Sequence, residues 1–251
     1  MSKLFVNEKF DLGIDIVDVE QVDSLASQGQ IFIEAGRVVI SKLQLGNVKC
    51  FIKKYSYTPN YRFLGRPSYT FREKHSFDCF SEMGIPHPEV IFCAENRQFG
   101  RLRWAIIGMQ EIEESQNLIP FFIECKDPIL RQNLILRLAE MTALMCNRRF
   151  SHGGWRMRNI LIDKNHQLFC VDCPKGHFKK APVGRSLDFD LLGIFRDFMQ
   201  MCSEEEKIFF VEEYCKRTNK NAAFWKEHIA EMCLKKFKRI NPLVPGQTVI
   251  C

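Results

Sequence analysis

The spacing of hydrophobic and polar positions changes character halfway along the chain. Residues 30–39 (QIFIEAGRVV) and 48–55 (VKCFIKKY) alternate and are rich in β-branched and aromatic side chains, which predicts two strands with a turn at Leu45-Gly46-Asn47. Gly65-Arg66-Pro67 then breaks the pattern. From Ser68 to Met83 the period becomes helical, through Phe71, His75, Phe77, Cys79, Phe80 and Met83, with Ser68 as N-cap and Gly84 as the stop before Ile85-Pro86. Strand patterning returns at 89–94 and 103–109, joined by a polar loop at 95–100.

Beyond this point the helical period dominates. Pro128 opens a helix whose apolar stripe runs Leu130, Leu134, Leu138, Met141, Met145. A loop at 150–158 leads into two short strands, Ile160–Ile162 and Leu168–Val171, which turn at Lys164-Asn165. Helices are predicted over Leu187–Cys202, Ser203–Arg217 and Asn221–Arg239, and Ser203 followed by Glu206 fits a capping box. Strands with one helix, followed by a mainly helical half, predict an α+β fold of two lobes: residues 1–112 as the sheet lobe and 113–251 as the helical lobe. A small ligand is expected in a cleft between them.

Composition narrows the partners. Of 251 residues 46% are hydrophobic and 26% charged, enough to bury a core, and the chain is not a disordered tail. No apolar run reaches the length of a membrane span, and the first residues lack a hydrophobic signal core, so the chain is read as cytoplasmic. The 11 cysteines are scattered and odd in number, and several sit in apolar runs, which predicts reduced structural thiols. The CxxC at Cys170–Cys173 lacks the second ligand pair a zinc site needs. Net charge is +6, with basic clusters at Lys53-Lys54, Arg148-Arg149, Lys179-Lys180 and Lys235 to Arg239. Such clusters suit a phosphorylated ligand or an anionic membrane surface. No nucleic-acid-binding signature accompanies them.

Three stretches carry candidate chemistry, and they do so jointly. Lys53 ends an apolar strand, where an ammonium can reach nucleotide phosphates; Glu73, on the next helix, can orient it. His152 and Asn159 stand seven residues apart within His152-Gly153-Gly154-Trp155-Arg156-Met157-Arg158-Asn159, and Asp172 ends the following hairpin. That is the frame of a kinase catalytic loop, H-R-D-x-x-x-x-N, with its downstream metal-binding Asp. Asn159 and Asp172 offer the hard oxygen ligands Mg²⁺ takes. Singly, each has an ordinary reading as a surface lysine, a core histidine, a turn asparagine or a strand-end aspartate. Their order and element types set the kinase reading above these.

On these residues the chain resembles the Kdo/WaaP lipopolysaccharide kinase family, most of all its InaA-type members. Further motifs support this: Phe51-Ile52-Lys53-Lys54-Tyr55, Gly65-Arg66-Pro67-Ser68 leading to Arg72-Glu73, Gly84-Ile85-Pro86-His87-Pro88, Val171-Asp172 and Asp188-Phe189-Asp190. The resemblance implies a protein-kinase-like fold, ATP with Mg²⁺ (or Mn²⁺), and phosphorylation of a lipopolysaccharide core sugar, or a lipid-linked one, at the inner-membrane surface. It implies that Lys53 holds the α/β-phosphates, that Glu73 pairs with Lys53, that Asn159 and Asp172 bind the metal, with His152 in the same catalytic set, and that Asp190 braces the loop from a helix beneath it. Gly36, Gln110 and Ile112 complete the expected cofactor-binding set.

Two departures stand out. Gly154 occupies the place of the catalytic-loop Asp, so no carboxylate is present to accept a hydroxyl proton; losing a general base costs about 10²–10⁴ in rate. This makes a pseudokinase, a nucleotide-binding scaffold, the alternative reading. The expected phosphate-covering loop, 34–39 (EAGRVV), has a single glycine. At the end of the chain Phe224, His228, Met232 and Phe237 lie among lysines, a pattern that suits either a lipid-facing helix or a packed helix with a solvated basic face.

Overall fold

The structure is a computed structural model that describes residues 1–57, 63–178 and 187–237. Lys179-Lys180, Lys238-Arg239 and Cys251 lie outside the described residues. The chain forms two compact units. The first comprises Met1–Cys79 and His87–Glu113; the second comprises Phe80–Pro86 and the described residues from Glu114 onward.

The first unit is an antiparallel sheet of β1 (Lys3–Val6), β2 (Gln30–Ala35), β3 (Val38–Leu45), β4 (Val48–Ser56), β5 (Val90–Gln98) and β6 (Arg101–Gln110), in the order β1-β5-β6-β4-β3-β2. The pattern over 30–39 predicts one strand, but the structure folds it into a hairpin, with Ala35 opposite Val38 and Gly36 at φ +60° in the turn. Only a residue tolerant of the left-handed region turns there cheaply. The polar loop predicted over 95–100 is likewise shorter. β5 and β6 extend through it to a two-residue turn, Phe99-Gly100, with both φ positive. Cross-strand pairing continues through these polar residues, of which Gln98 is exposed while Glu95 is fully buried.

Helix α1 (Val19–Gln28) has no counterpart in the sequence reading. Asp18 caps it, its carboxylate accepting from Gln21 N, and Val22 and Leu25 pack on the sheet with Leu45, Cys50, Ile52, Ile91 and Ile106. Period two along β4 sends Cys50, Ile52 and Lys54 to that face, where Lys54 pairs with Asp23 of α1; Lys53 goes to the opposite face. Helix α2 (Tyr69–Met83) begins after Ser68, whose hydroxyl accepts from Phe71 N at 3.4 Å, and ends at Gly84 with φ +72°, as the sequence predicts.

In the second unit the long helix α4 (Pro128–Asn147) starts at the Asp127 cap. It buries Leu134, Leu138, Met141 and Met145 as predicted, and also Ile135, Ala139 and Ala143 on a second face. A short α3 (Leu118–Glu124) precedes it. β7 (Gln116–Asn117), β9 (Ile160–Ile162) and β10 (Leu168–Cys170) form a small sheet, and β8 (Phe150–Ser151) pairs with β11 (His177–Phe178). Three helices follow: α5 (Leu187–Met201), α6 (Glu204–Thr218) and α7 (Ala222–Lys236). The capping box at α6 is closed in both directions, Glu206 N to Ser203 Oγ at 3.2 Å and Ser203 N to Glu206 Oε2 at 2.9 Å. α7 buries Trp225, Ile229 and Cys233 rather than the face of Phe224 and His228 that the sequence suggested; those two stack on each other at the surface.

The described residues contain no helix long and apolar enough to cross a membrane. Among the described residues the ten cysteines form no disulfide, and seven of them are buried. The architecture is α+β, with the sheet in the first unit and most of the helix in the second.

Candidate active site

Lys53 and Glu73 meet within the first unit. The Lys53 ammonium lies 3.6 Å from Glu73 Oε1, and the side chains are 5% and 0% exposed. Burial of a lysine–glutamate pair is costly unless each charge answers the other, so both residues are fixed in place by that requirement. Lys53 also stands 5.3 Å from the Tyr55 ring centroid. The segment leading into α2 is held by a second buried pair that sequence reasoning missed. Glu95 accepts from Ser68 N at 3.1 Å and from Arg97 Nε at 2.8 Å, and Arg97 donates onward to the Phe63 and Arg66 carbonyls. Burial alone would raise the Glu95 carboxyl, but the Arg97 and Ser68 hydrogen bonds outweigh it and hold the group below its ordinary range. This network sets where α2 starts, and with it where Glu73 points.

The remaining cofactor candidates of this unit are spread along β4. Gly36 turns the hairpin beside Ser56, whose amide donates to Arg37 O at 2.9 Å. Gln110 pairs with Cys50 near the other end of β4, and Ile112 follows it, half-buried. Lys53 lies between these two ends. A Cβ added at Gly36 would meet nothing within 4 Å, so the glycine serves the turn rather than a close approach.

In the second unit His152, Asn159 and Asp172 line one cavity of about 240 Å³ together with Gly154, Arg158 and Lys175. The hairpin of β9 and β10 produces this juxtaposition: Val171 N donates to Asn159 O at 2.9 Å, so Asp172 follows directly after the residue bonded to Asn159. Asp172 has φ +57°, a left-handed conformation that aspartate tolerates better than most residues. Asn159 Nδ2 donates to Gly154 O at 2.9 Å, which fixes the amide orientation and leaves Oδ1 as the free acceptor. That oxygen is buried and receives no hydrogen bond from the described residues. A buried acceptor without a donor costs stability unless a ligand completes it, and a hard cation is such a ligand. Among the described residues no three His, Cys, Asp or Glu side chains cluster as a metal site. Asn159 with Asp172 instead fits Mg²⁺ or Mn²⁺, ions that keep most of their coordination for water and phosphate oxygens.

The loop itself is clamped from α5. Asp190 accepts from Ser151 Oγ at 2.9 Å, His152 N at 2.8 Å and Gly153 N at 3.0 Å. Burial pushes its carboxyl up to about 6 even though these hydrogen bonds pull it down. One residue the sequence did not single out, Asp197, does the same at the other end: it accepts from Met157 N at 2.8 Å and forms a two-pronged ion pair with Arg156. Between them Gly193 lets the loop lie against the helix, since a Cβ there would fall 2.5 Å from Trp155 O. Trp155 is buried, its indole donating to Thr142 Oγ1 of α4 at 2.8 Å. An Asp-x₂-Gly-x₃-Asp spacing on one helix face is the signal that could have found Gly193 and Asp197.

His152 is buried beneath the loop between Phe80 and Trp155. Burial pushes its imidazole down to about 4 against the opposing pull of Asp172, so it is neutral at neutral pH. Gly154 has room for a side chain: a Cβ there would be 3.8 Å from both Asn159 Nδ2 and His152 Nδ1, an ordinary contact. The side chain of Asp188 lies outside the described residues.

No curated protein matches the chain significantly. Among solved structures the chain is similar to WaaP in complex with acyl carrier protein, with a TM-score of 0.73 and 16% identity over 95% of this chain and 99% of that one, a likeness of fold. The profile of the lipopolysaccharide kinase (Kdo/WaaP) family matches residues 19–221. With the Lys53–Glu73 pair, the loop from His152 to Asn159 and Asp172 all inside that span, the chain belongs to the Kdo/WaaP lipopolysaccharide kinase family.

Proposed function

We propose that the protein is an ATP-dependent phosphotransferase acting on a sugar of the lipopolysaccharide core at the cytoplasmic surface of the inner membrane. The observation that carries this reading is the buried Asn159 Oδ1, which lacks a donor among the described residues and stands beside Asp172. Asn159 and Asp172 would hold Mg²⁺ or Mn²⁺, which when bound neutralises charge on the transferring phosphoryl group. Lys53, oriented by Glu73, would hold the α- and β-phosphates. Asp190 and Asp197 keep the loop in one conformation, so the acceptor meets a fixed set of groups. Phosphoryl transfer through a loose transition state depends mainly on positioning and charge neutralisation, and this tolerates the missing carboxylate at Gly154 at a cost in rate.

Gly154 favours a second reading, a pseudokinase that binds nucleotide without efficient transfer. One assay separates the two: transfer from γ-labelled ATP to core oligosaccharide with Mg²⁺ or Mn²⁺. Turnover above a Lys53→Ala control supports the enzyme. Thermal stabilisation by MgATP with no such turnover supports the pseudokinase. Gly154→Asp fits sterically, and a gain of about 10²-fold or more in transfer would identify a kinase that has lost its base. For the membrane, Leu234 is exposed beside Lys235 and Lys236 in the last turn of α7, and Phe224 is exposed in its first turn. Flotation with anionic but not zwitterionic vesicles is the expected result, and absence from both overturns that part of the reading.

A further inference from the structure

The turn between β5 and β6 carries an unexpected residue for its backbone. Phe99 and Gly100 form a two-residue loop in which both φ angles are positive, +50° and +75°. Such a turn favours Asn-Gly or Asp-Gly, because a bulky side chain in the left-handed region crowds its own backbone. Phe99 gains no burial in exchange: it is 93% exposed. A large apolar side chain that serves neither the turn nor the core points to a partner outside the chain.

The surroundings of this tip are built. Arg97, itself bonded to Glu95, donates to the carbonyls of Phe63 at 2.8 Å, Gly100 at 3.3 Å and Arg66 at 2.7 Å, which ties residues 63–66 to the hairpin. Leu64 is 52% exposed and lies against Gly100, where a Cβ would fall 3.0 Å from Leu64 Cδ1, so it extends the apolar tip. Arg66 and Arg103 are exposed and form no ion pair with a described carboxylate. The only carboxylate between Val90 and Gln110, Glu95, is buried. An apolar point flanked by cations matches a bilayer with anionic headgroups: the hydrocarbon takes the apolar side chains and the phosphates meet the arginines. A stable protein partner would need a broad face of about 800 Å², which a two-residue tip does not offer.

We propose that the tip of the β5–β6 hairpin is a membrane anchor, with Phe99 and Leu64 entering the interface of an anionic bilayer and Arg66 and Arg103 contacting its headgroups. This rests on the membrane part of the reading above and adds a contact in the first unit to the one on α7. It also accounts for a phenylalanine where the turn itself would be better served by asparagine.

The test is flotation of the full chain with phosphatidylglycerol/phosphatidylethanolamine vesicles, with phosphatidylcholine vesicles as the neutral comparison. Phe99→Asn should weaken binding to the anionic vesicles about tenfold. Its melting temperature should equal or exceed that of the unaltered protein, because asparagine suits the turn. Phe99→Trp should retain binding. Arg66→Gln/Arg103→Gln should weaken it by about fivefold per arginine. Unchanged flotation of Phe99→Asn overturns the proposal, and so does a loss confined to Phe224→Asn/Leu234→Asn, which would leave α7 as the contact. If the unaltered protein floats with neither vesicle, the anchor and the membrane reading fall together. A change of mass in sedimentation without lipid on Phe99→Asn would make the tip a contact between copies instead, and would also overturn the anchor. Phosphoryl transfer to soluble core oligosaccharide, measured alongside, should not differ in Phe99→Asn, so a failed anchor is told apart from a failed kinase.

Discussion

Asp190 and Asp197 stand two turns apart on α5 and hold opposite ends of one loop. Asp190 takes the Ser151 hydroxyl and the His152 and Gly153 amides, and Asp197 takes Arg156 and the Met157 amide. Between these two anchors the backbone of Trp155 lies against the helix at Gly193. The loop that carries Asn159 is therefore positioned by side chains 30 or more residues downstream.

Removing one anchor should cost more than a surface substitution. Asp197→Ala strands the Arg156 guanidinium and the Met157 amide in a site where Asp197 is fully buried. Loss of one partner of a buried pair costs about 3–5 kcal/mol. Urea denaturation should show a lower midpoint with an unchanged m-value, and a shift under about 1 kcal/mol would mean the anchor is not structural.

Two glycines give opposite expectations. Gly193→Ala should destabilise by about 1–3 kcal/mol, because the added methyl meets Trp155 O at 2.5 Å. On an exposed helix the same change would stabilise by up to about 1 kcal/mol. Gly154→Ala meets only ordinary contacts and should leave the melting temperature nearly unchanged. Equal melting shifts for the two variants would contradict the close approach of loop and helix.

The Lys53–Glu73 pair should behave as a coupled unit. Lys53→Met and Glu73→Gln each leave a buried partner in an altered environment, so the double variant should lose less stability than the two singles combined. A coupling above about 1 kcal/mol is expected from the double-mutant cycle, and additivity would refute it.

His152 supplies a pH signature. Its folded value of about 4 lies below its ordinary 6.5, so the native state disfavours its charged form. The associated stability is full above pH 6.5 and is lost as pH falls from there to about 4. Asp190 works in the opposite sense: with a folded value near 6 against 3.8, its stability term is full below 3.8 and is lost as pH rises to about 6. His152→Gln removes the first term only. Between pH 6.5 and 4 the variant should lose less stability than the unaltered protein, by up to about 3 kcal/mol, and parallel curves would refute this.

How much of this was legible in the chain follows from range. Helix α2, its Ser68 cap and Gly84 stop, the α6 capping box and the hairpin that brings Val171 to Asn159 all depend on residues close in sequence, and local spacing revealed them. The Lys53, Glu73, Asn159 and Asp172 candidates were legible as a motif in order, and the Gly154 departure was visible at once. Sequence patterning failed where a partner supplied the reason. Helix α1 is weakly apolar and forms because the sheet covers Val22 and Leu25. The strand predicted through Gly36 is a hairpin because β2 finds β3. Asp197, Glu95 and Gly193 read as ordinary residues in a linear chain; only packing gives Asp197 an arginine, Glu95 an amide and an arginine, and Gly193 a carbonyl oxygen too close for any side chain. Sequence determined which chemical groups the protein owns. Tertiary structure decided which of them are buried, and burial is what turns a carboxylate into an anchor and an amide oxygen into a candidate ligand.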